Sequence, residues 1–255
     1  MNQKILFSAV LLIALASLSI CGADYVRDPE FYQFQQMNPD DFGEPFWSKS
    51  GIGINNVTAY RAEDPETIRN MVEKGLVDVP EEYGQIQMSS DGHTDWVFIE
   101  APEISYEIVR VETLFIENQN APDIVLSESR CLQNLSSSSN WRFKLSADGV
   151  VRANGPGTVG THIDETVRPQ VITEAFLLNR TVSKSVGFDI SESYSVKTDS
   201  FSYDILENQW IDITKWELYD QVTFDAYNSF GFSKGDGTIL IPSGYLVQVV
   251  VFKEA

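Results

Sequence analysis

Thr238-Ile239-Leu240-Ile241-Pro242-Ser243-Gly244-Tyr245-Leu246-Val247-Gln248-Val249-Val250-Val251-Phe252 is the stretch that decides the fold. From Tyr245 onward Gln248 is the only polar residue, so both faces of an extended segment are apolar. A strand with one face in water alternates apolar and polar residues; one that is apolar on both faces needs cover on both sides. This strand is therefore expected inside a sheet. Just upstream, residues 211–230 place Trp216, Leu218, Val222 and Phe224 on one face of a second long run. A third long run is expected over residues 182–196. Its even positions read Val, Lys, Val, Phe, Ile, Glu, Tyr, Val, and its odd positions are mostly serine. The alternating phase flips near Ser200 and continues through Phe201, Tyr203 and Ile205. Runs of this length exceed the usual strand of about five or six residues. The fold class is mainly β: an elongated antiparallel long-strand protein or, alternatively, a compact β-sandwich.

Shorter signals fill in the rest. Residues 94–100, 104–116 and 123–131 read as strands. In the second of these the apolar phase moves from Ile104, Tyr106 and Ile108 to Val109, Val111 and Phe115, which marks a bulge at Ile108-Val109. Residues 135–140 read as a serine-rich loop. Residues 141–145 and 150–153 flank Ala147-Asp148-Gly149, a hairpin signal. One short helix is expected near 65–74. It has Asp64 as N-cap, Pro65 at its first position, Ile68, Met71 and Val72 as its apolar stripe, and Gly75 after its last turn. Residues 24–49, rich in Phe, Tyr and Pro, read as an irregular, aromatic-anchored lead-in. Residues 154–161 form a Gly/Pro loop, the best internal boundary. The organisation is a signal peptide over 1–23, an N-terminal β-rich region with the short helix over 24–168, and a long-strand region over 169–255.

The serine-alternating run that begins at Thr181, and Ile241-Pro242-Ser243-Gly244-Tyr245-Leu246-Val247-Gln248-Val249-Val250-Val251, resemble the long strands of the aerolysin-type β-pore-forming superfamily, in the branch of the epsilon-toxin and mosquitocidal-toxin proteins. The resemblance spans about residues 171–252. It implies a secreted protein that binds a cell-surface receptor, forms a homo-oligomer and inserts a β-barrel. Val182, Val186, Phe188, Ile190, Tyr194 and Val196 would then be a membrane-facing strand. Lys184 and Glu192 interrupt that face. They stand about 26 Å apart along a strand, close to the apolar band of roughly 25 Å in a membrane barrel.

The 255-residue chain has 18 Lys+Arg against 37 Asp+Glu and a net charge of −19. That acidity argues against nucleic acid, whose phosphates need a basic surface, and against simple electrostatic docking on anionic lipid. Lys4 followed by an uncharged run to Ile20 and small residues at Cys21-Gly22-Ala23 reads as a signal peptide cleaved after Ala23, so the protein is expected to be secreted. Cleavage leaves Cys131 as the only mature cysteine, which excludes an internal disulfide. The thiol is then either buried or part of an intermolecular bridge. Asn56, Asn134 and Asn179 each open an Asn-x-Ser/Thr sequon and are candidate N-glycosylation sites.

Catalytic and cofactor signals are thin. Gly155-Pro156-Gly157-Thr158-Val159-Gly160 matches a dinucleotide pattern literally but lacks a helical period after it, so it reads as a turn. His93 sits in a polar Asp-Gly turn, and His162 lies beside Asp164 and Glu165 without a nucleophile motif. Asp40-Asp41 and Glu81-Glu82 lack calcium-loop order. Trp47, Trp96, Trp141, Trp210 and Trp216 suit either a core or a carbohydrate or small-ligand site. No catalytic, cofactor or metal site is assigned. The protein is expected to be membrane-acting or an extracellular binding or coat protein, before a secreted hydrolase.

Overall fold

The computed structural model describes residues 24–26, 34–51, 54–77, 106–143, 149–198 and 200–254. The leader over 1–23, the strand expected at 94–100, His93 and the 144–148 part of the hairpin lie outside the described residues. The fold is mainly β, built on two long strands. Strand β13 (Gln209–Tyr227, 19 residues) and strand β14 (Ser233–Glu254, 22 residues) pair antiparallel from Gln209↔Lys253 to Tyr227↔Ser233. At about 3.3 Å per residue β14 has a contour of roughly 70 Å. Its last half is buried on both faces, from Tyr245 to Phe252, as the two-sided apolar pattern requires.

Each edge of this central pair carries two shorter neighbours in series. On β13, strand β6 (Leu132–Phe143) pairs over Tyr219–Ala226 and β7 (Gly149–Asn154) over Trp210–Lys215. On β14, strand β10 (Gln170–Thr173) pairs with Gly237 to Leu240, and β5 (Tyr106–Glu117) with Gly244 to Glu254. The sheet continues through β4 (Ile54–Ala62) and β3 (Glu44–Gly51), while β2 (Phe34–Gln36) flanks β6 and β1 (Asp24–Val26) runs parallel to β10. Strands from both sides of residue 168 thus share one sheet.

Pro242-Ser243-Gly244 lies inside β14, at a bulge where the register against β13 shifts between Leu218 and Tyr219. On the opposite edge β10 has ended and β5 has not begun. A proline lacks the N–H a neighbouring strand would need, so this gap in the ladder is where it is tolerated. A Cβ on Gly244 would sit 1.9 Å from the Ile116 carbonyl oxygen, so β5 approaches closely only because the residue is glycine.

Helix α1 (Pro65–Glu73) forms as expected: the Asp64 carboxylate accepts from the Thr67 N–H at 2.8 Å, and Gly75 takes a left-handed φ of 65°. Its Ile68 and Met71 join Met37, Phe42 and Leu76 in covering one face of the sheet, against Trp216, Leu246, Val250 and Phe252. Gln248 on this face donates to the Leu76 carbonyl at 3.0 Å, which satisfies a polar group in an apolar layer. The bulge in β5 is present: Arg110 faces Val251 and Ile108 faces Phe252, leaving Val109 extra.

Three expectations are corrected. Residues 182–196 do not form one strand. Helix α2 (Asn179–Val186) takes the first part, capped by Gly187 at φ 90°, and strand β11 (Tyr194–Lys197) takes the last. Val182 and Val186 are four apart, a spacing that shares a face in either structure. Lys184 breaks the tie: a strand would place it with the valines, whereas the helix turns it into water. Residues 123–131 form no strand; the N–H groups of Val125 and Ser127 instead donate to the α2 carbonyls of Val186 and Ser185 at 2.9 Å each. The serine-rich 135–140 is strand rather than loop. Its hydroxyls serve the ladder face, with Ser136 and Thr223 bonded at 2.8 Å.

Candidate functional site

The distinctive arrangement lies between β7 and β13. Strand β8 (Gly157–Thr161) pairs antiparallel with β12 (Phe201–Ile205), and β9 (Asp164–Val167) pairs with β11. Residue order makes these pairs a continuation of β7·β13. Asn154 faces Trp210, Gly157 faces Ile205, Thr161 faces Phe201, Asp164 faces Lys197 and Val167 faces Tyr194. One antiparallel ribbon therefore runs from 149–167 against 194–215, with a turn at Gly155-Pro156 opposite Leu206-Glu207-Asn208. There the ribbon folds back over the sheet. A Cβ on Gly155 would sit 2.0 Å from the Leu206 carbonyl oxygen, so the crossing needs glycine. Asn208 takes a φ of 62° on the other arm, a conformation asparagine tolerates.

The folded-back ribbon is amphipathic. Its inner face carries Ile163, Val167, Tyr194, Val196 and Ile205, which pack on Ile211, Ile213, Val247, Val249 and Val251 of β13 and β14. Its outer face carries Thr158, Thr166, Ser195, Ser202 and Asp204 in water. A second kink at Ile163 and Thr198 is closed by the Thr198 N–H on the Ile163 carbonyl at 2.9 Å and the Ile163 N–H on the Thr198 hydroxyl at 3.0 Å.

Few polar contacts fasten the ribbon down. Glu165, the one acid among the described residues of its inner face, meets the half-buried Lys215 of β13 at 2.9 Å. The Asn55 amide donates to the Lys197 carbonyl at 2.8 Å, and the Asn120 amide to the Ser195 carbonyl at 3.0 Å. The remaining hold is apolar burial.

Residues 168–193, with β10 and α2, join the ribbon's two arms. Val182 and Val186 of α2 and Ile190 after it pack with Val171 of β10 over the far half of the long strands, against Val222, Phe224, Ile239 and Ile241. Of the expected membrane-facing residues, Val182, Val186, Ile190, Tyr194 and Val196 are thus buried in two layers over one sheet, with Phe188 half-buried beside them.

The other sequence candidates separate. Gly155 to Gly160 is the ribbon turn and strand β8, with no helix after it. His162 is exposed, and its neighbours Asp164 and Glu165 are paired with Lys197 and Lys215. Among the described residues no group of three or more His, Cys, Asp and Glu side chains is placed to hold a metal. Asn56 donates to Glu117 at 3.1 Å from β4; Asn134, at φ 53°, donates to Asp225 at 2.7 Å; Asn179 opens α2. Cys131 is half-buried beside the layer under α2. The ribbon itself escaped the sequence reading because its alternation breaks phase at 162–163 and 198–200. The two arms match only once those breaks are set opposite each other.

The chain matches no known protein family, and no curated protein is significantly similar to it in sequence.

Proposed function

We propose that this is a secreted, non-enzymatic, membrane-acting protein that oligomerises and inserts the 157–205 ribbon as a barrel hairpin. The observation that carries the reading is the in-line register of the two ribbon ladders, β8·β12 and β9·β11. Straightening two short turns, at 155–156 and 206–208, and unpairing β10 from β14 would lift the ribbon from the sheet with its pairing to itself intact. In the lifted state Val159, Ile163, Val167, Val196, Tyr203 and Ile205 would exchange the sheet for lipid, and the Ser/Thr face would line an aqueous lumen. The eleven residues of 157–167 match the 9–11 that a membrane strand needs.

The 168–193 segment supports the same reading. Residues 182–196 carry strand periodicity and yet begin as a helix, a conflict between local pattern and fold that suits a segment with two structures. Converted to strand, they would extend the second arm and place Val182, Val186, Phe188 and Ile190 on the lipid face. A cell-surface partner would gather copies at the membrane.

The test is dye leakage from vesicles. In a Cys21→Ser, Cys131→Ser background, Asn55→Cys with Lys197→Cys pins the ribbon to β4. Leakage should be absent when oxidised and restored on reduction. Leakage absent in both states, or unaffected by the lock, would remove the pore reading.

A further inference from the structure

Beside the ribbon's turn lies a cavity of about 710 Å³, within the roughly 300–1,000 Å³ of ligand sites. One wall is sheet, from β3, β4 and β5; the other is the ribbon strand β12 and the turn that follows it. Trp47 and Phe201 both line it and contact each other, with ring centroids 6.4 Å apart and tilted by 33°. Phe46 stands edge-on to Trp47 at 6.3 Å and supports the Arg61 guanidinium at 4.1 Å from its ring centre. On the floor, Glu112 has a side chain 7% exposed and holds Arg61 at 3.0 Å and Arg110 at 3.2 Å. Glu63 completes the charged lining.

This lining discriminates among ligand classes. Two carboxylates oppose an anion, and two guanidiniums oppose a cation. A hydrocarbon would bury four charges without replacing their water. A neutral ring with an apolar face and a rim of hydroxyls meets all the requirements: its C–H face packs on Trp47 or Phe201, and its hydroxyls bond carboxylates and guanidiniums in place of water. We infer that this cavity is a binding site for a neutral saccharide of one or two rings. Burial, with Glu112 nearby, raises the Tyr203 hydroxyl far above its ordinary pKa, so it stays a protonated donor in the cavity wall.

The ligand would touch sheet and ribbon at once. Resting on the proposed release of the ribbon, its occupancy therefore opposes that release, because whatever binds only the folded-back state stabilises it.

Saturation-transfer NMR and tryptophan fluorescence on the full chain, with lactose, cellobiose, trehalose and N,N′-diacetylchitobiose as probes, test the site. At least one sugar should receive saturation and shift the emission. Trp47→Ala should abolish both signals. Glu63→Gln, at an exposed position, should weaken binding about tenfold with the melting temperature unchanged. No transfer to any of the four sugars, or transfer that survives both substitutions, overturns the site. Vesicle leakage with the bound sugar at saturation should slow several-fold. Binding without slowing overturns the restraining role alone. Absence of leakage in the sugar-free protein refutes the pore reading and leaves the binding readout standing.

Discussion

Asp220 sits where β6, β13 and β14 meet at the Pro242 bulge. Burial raises its carboxyl above the ordinary value, partly offset by hydrogen bonds from the Ser243 and Ser139 side chains and the Asn140 backbone. A carboxyl with a raised folded pKa binds more protons folded than unfolded, so stability falls as pH rises through the interval between the two values. Asp220→Asn keeps an acceptor and removes the charge. It should raise the melting temperature by about 2 °C at pH 7, a gain that disappears by pH 4. A variant that melts lower at pH 7 would show that the ionised form is held favourably. Val249 belongs to the other extreme. It is fully buried between ribbon and sheet, and Val249→Asp should lose more than about 4 kcal/mol in denaturant unfolding. That residue was legible in the sequence because its two-sided apolar context is local. Asp220, Glu165 and Lys215 were not. Their environments are set by partners 23 to 81 positions away, and periodicity carries no information on which acid meets which base.

Elements were legible wherever local chemistry and tertiary demand agree. Asp64-Pro65 and Gly75 bracket α1, and the phase change in β5 marks its bulge at Val109. Elements were misread where two periods fit the same residues, as at Val182 and Val186, or where serine stands in a ladder, as in β6. The ribbon is the instructive case: each arm is two short strands with a phase break, so neither arm looks like a long strand alone. Its attachment can be probed by amide exchange. Glu165→Gln removes the one ion pair that, among the described residues, ties its inner face to β13. Exchange within 157–167 and 194–205 should accelerate about fivefold, with β13 and β14 unchanged, as expected of a local opening eased by roughly 1 kcal/mol. Equal acceleration across the sheet would mean that the ribbon opens only with the whole fold.

At the scale of the molecule, long strands give an elongated sheet whose two halves are covered separately, one by the ribbon and α1, the other by α2 and the segment after it. The end formed by the β13–β14 turn and the segment before α2 exposes Phe176 and Phe230 at 84% each, with Leu178 and Phe232 beside them in sequence at 60% and 68%. With a chain charge of −19, contact with anionic lipid is opposed, so a membrane role rests on apolar insertion. Phe230→Ser with Phe232→Ser should reduce sedimentation with zwitterionic vesicles at least tenfold, from the loss of roughly 1.5 kcal/mol or more per buried ring. Unchanged sedimentation would put the membrane contact elsewhere.

Release of an intact ribbon is the central claim, and two spin-label distances in one sample series test it most directly. Thr166 and Ser195 face each other across the ribbon, while Thr166 and Glu117, at the end of β5, report ribbon against sheet. On addition of vesicles, the Thr166–Glu117 distance should lengthen by roughly 30 Å, about the contour of an eleven-residue arm, with the Thr166–Ser195 distance unchanged. A Thr166–Glu117 distance that stays fixed, or a Thr166–Ser195 distance that is lost along with it, would contradict the claim.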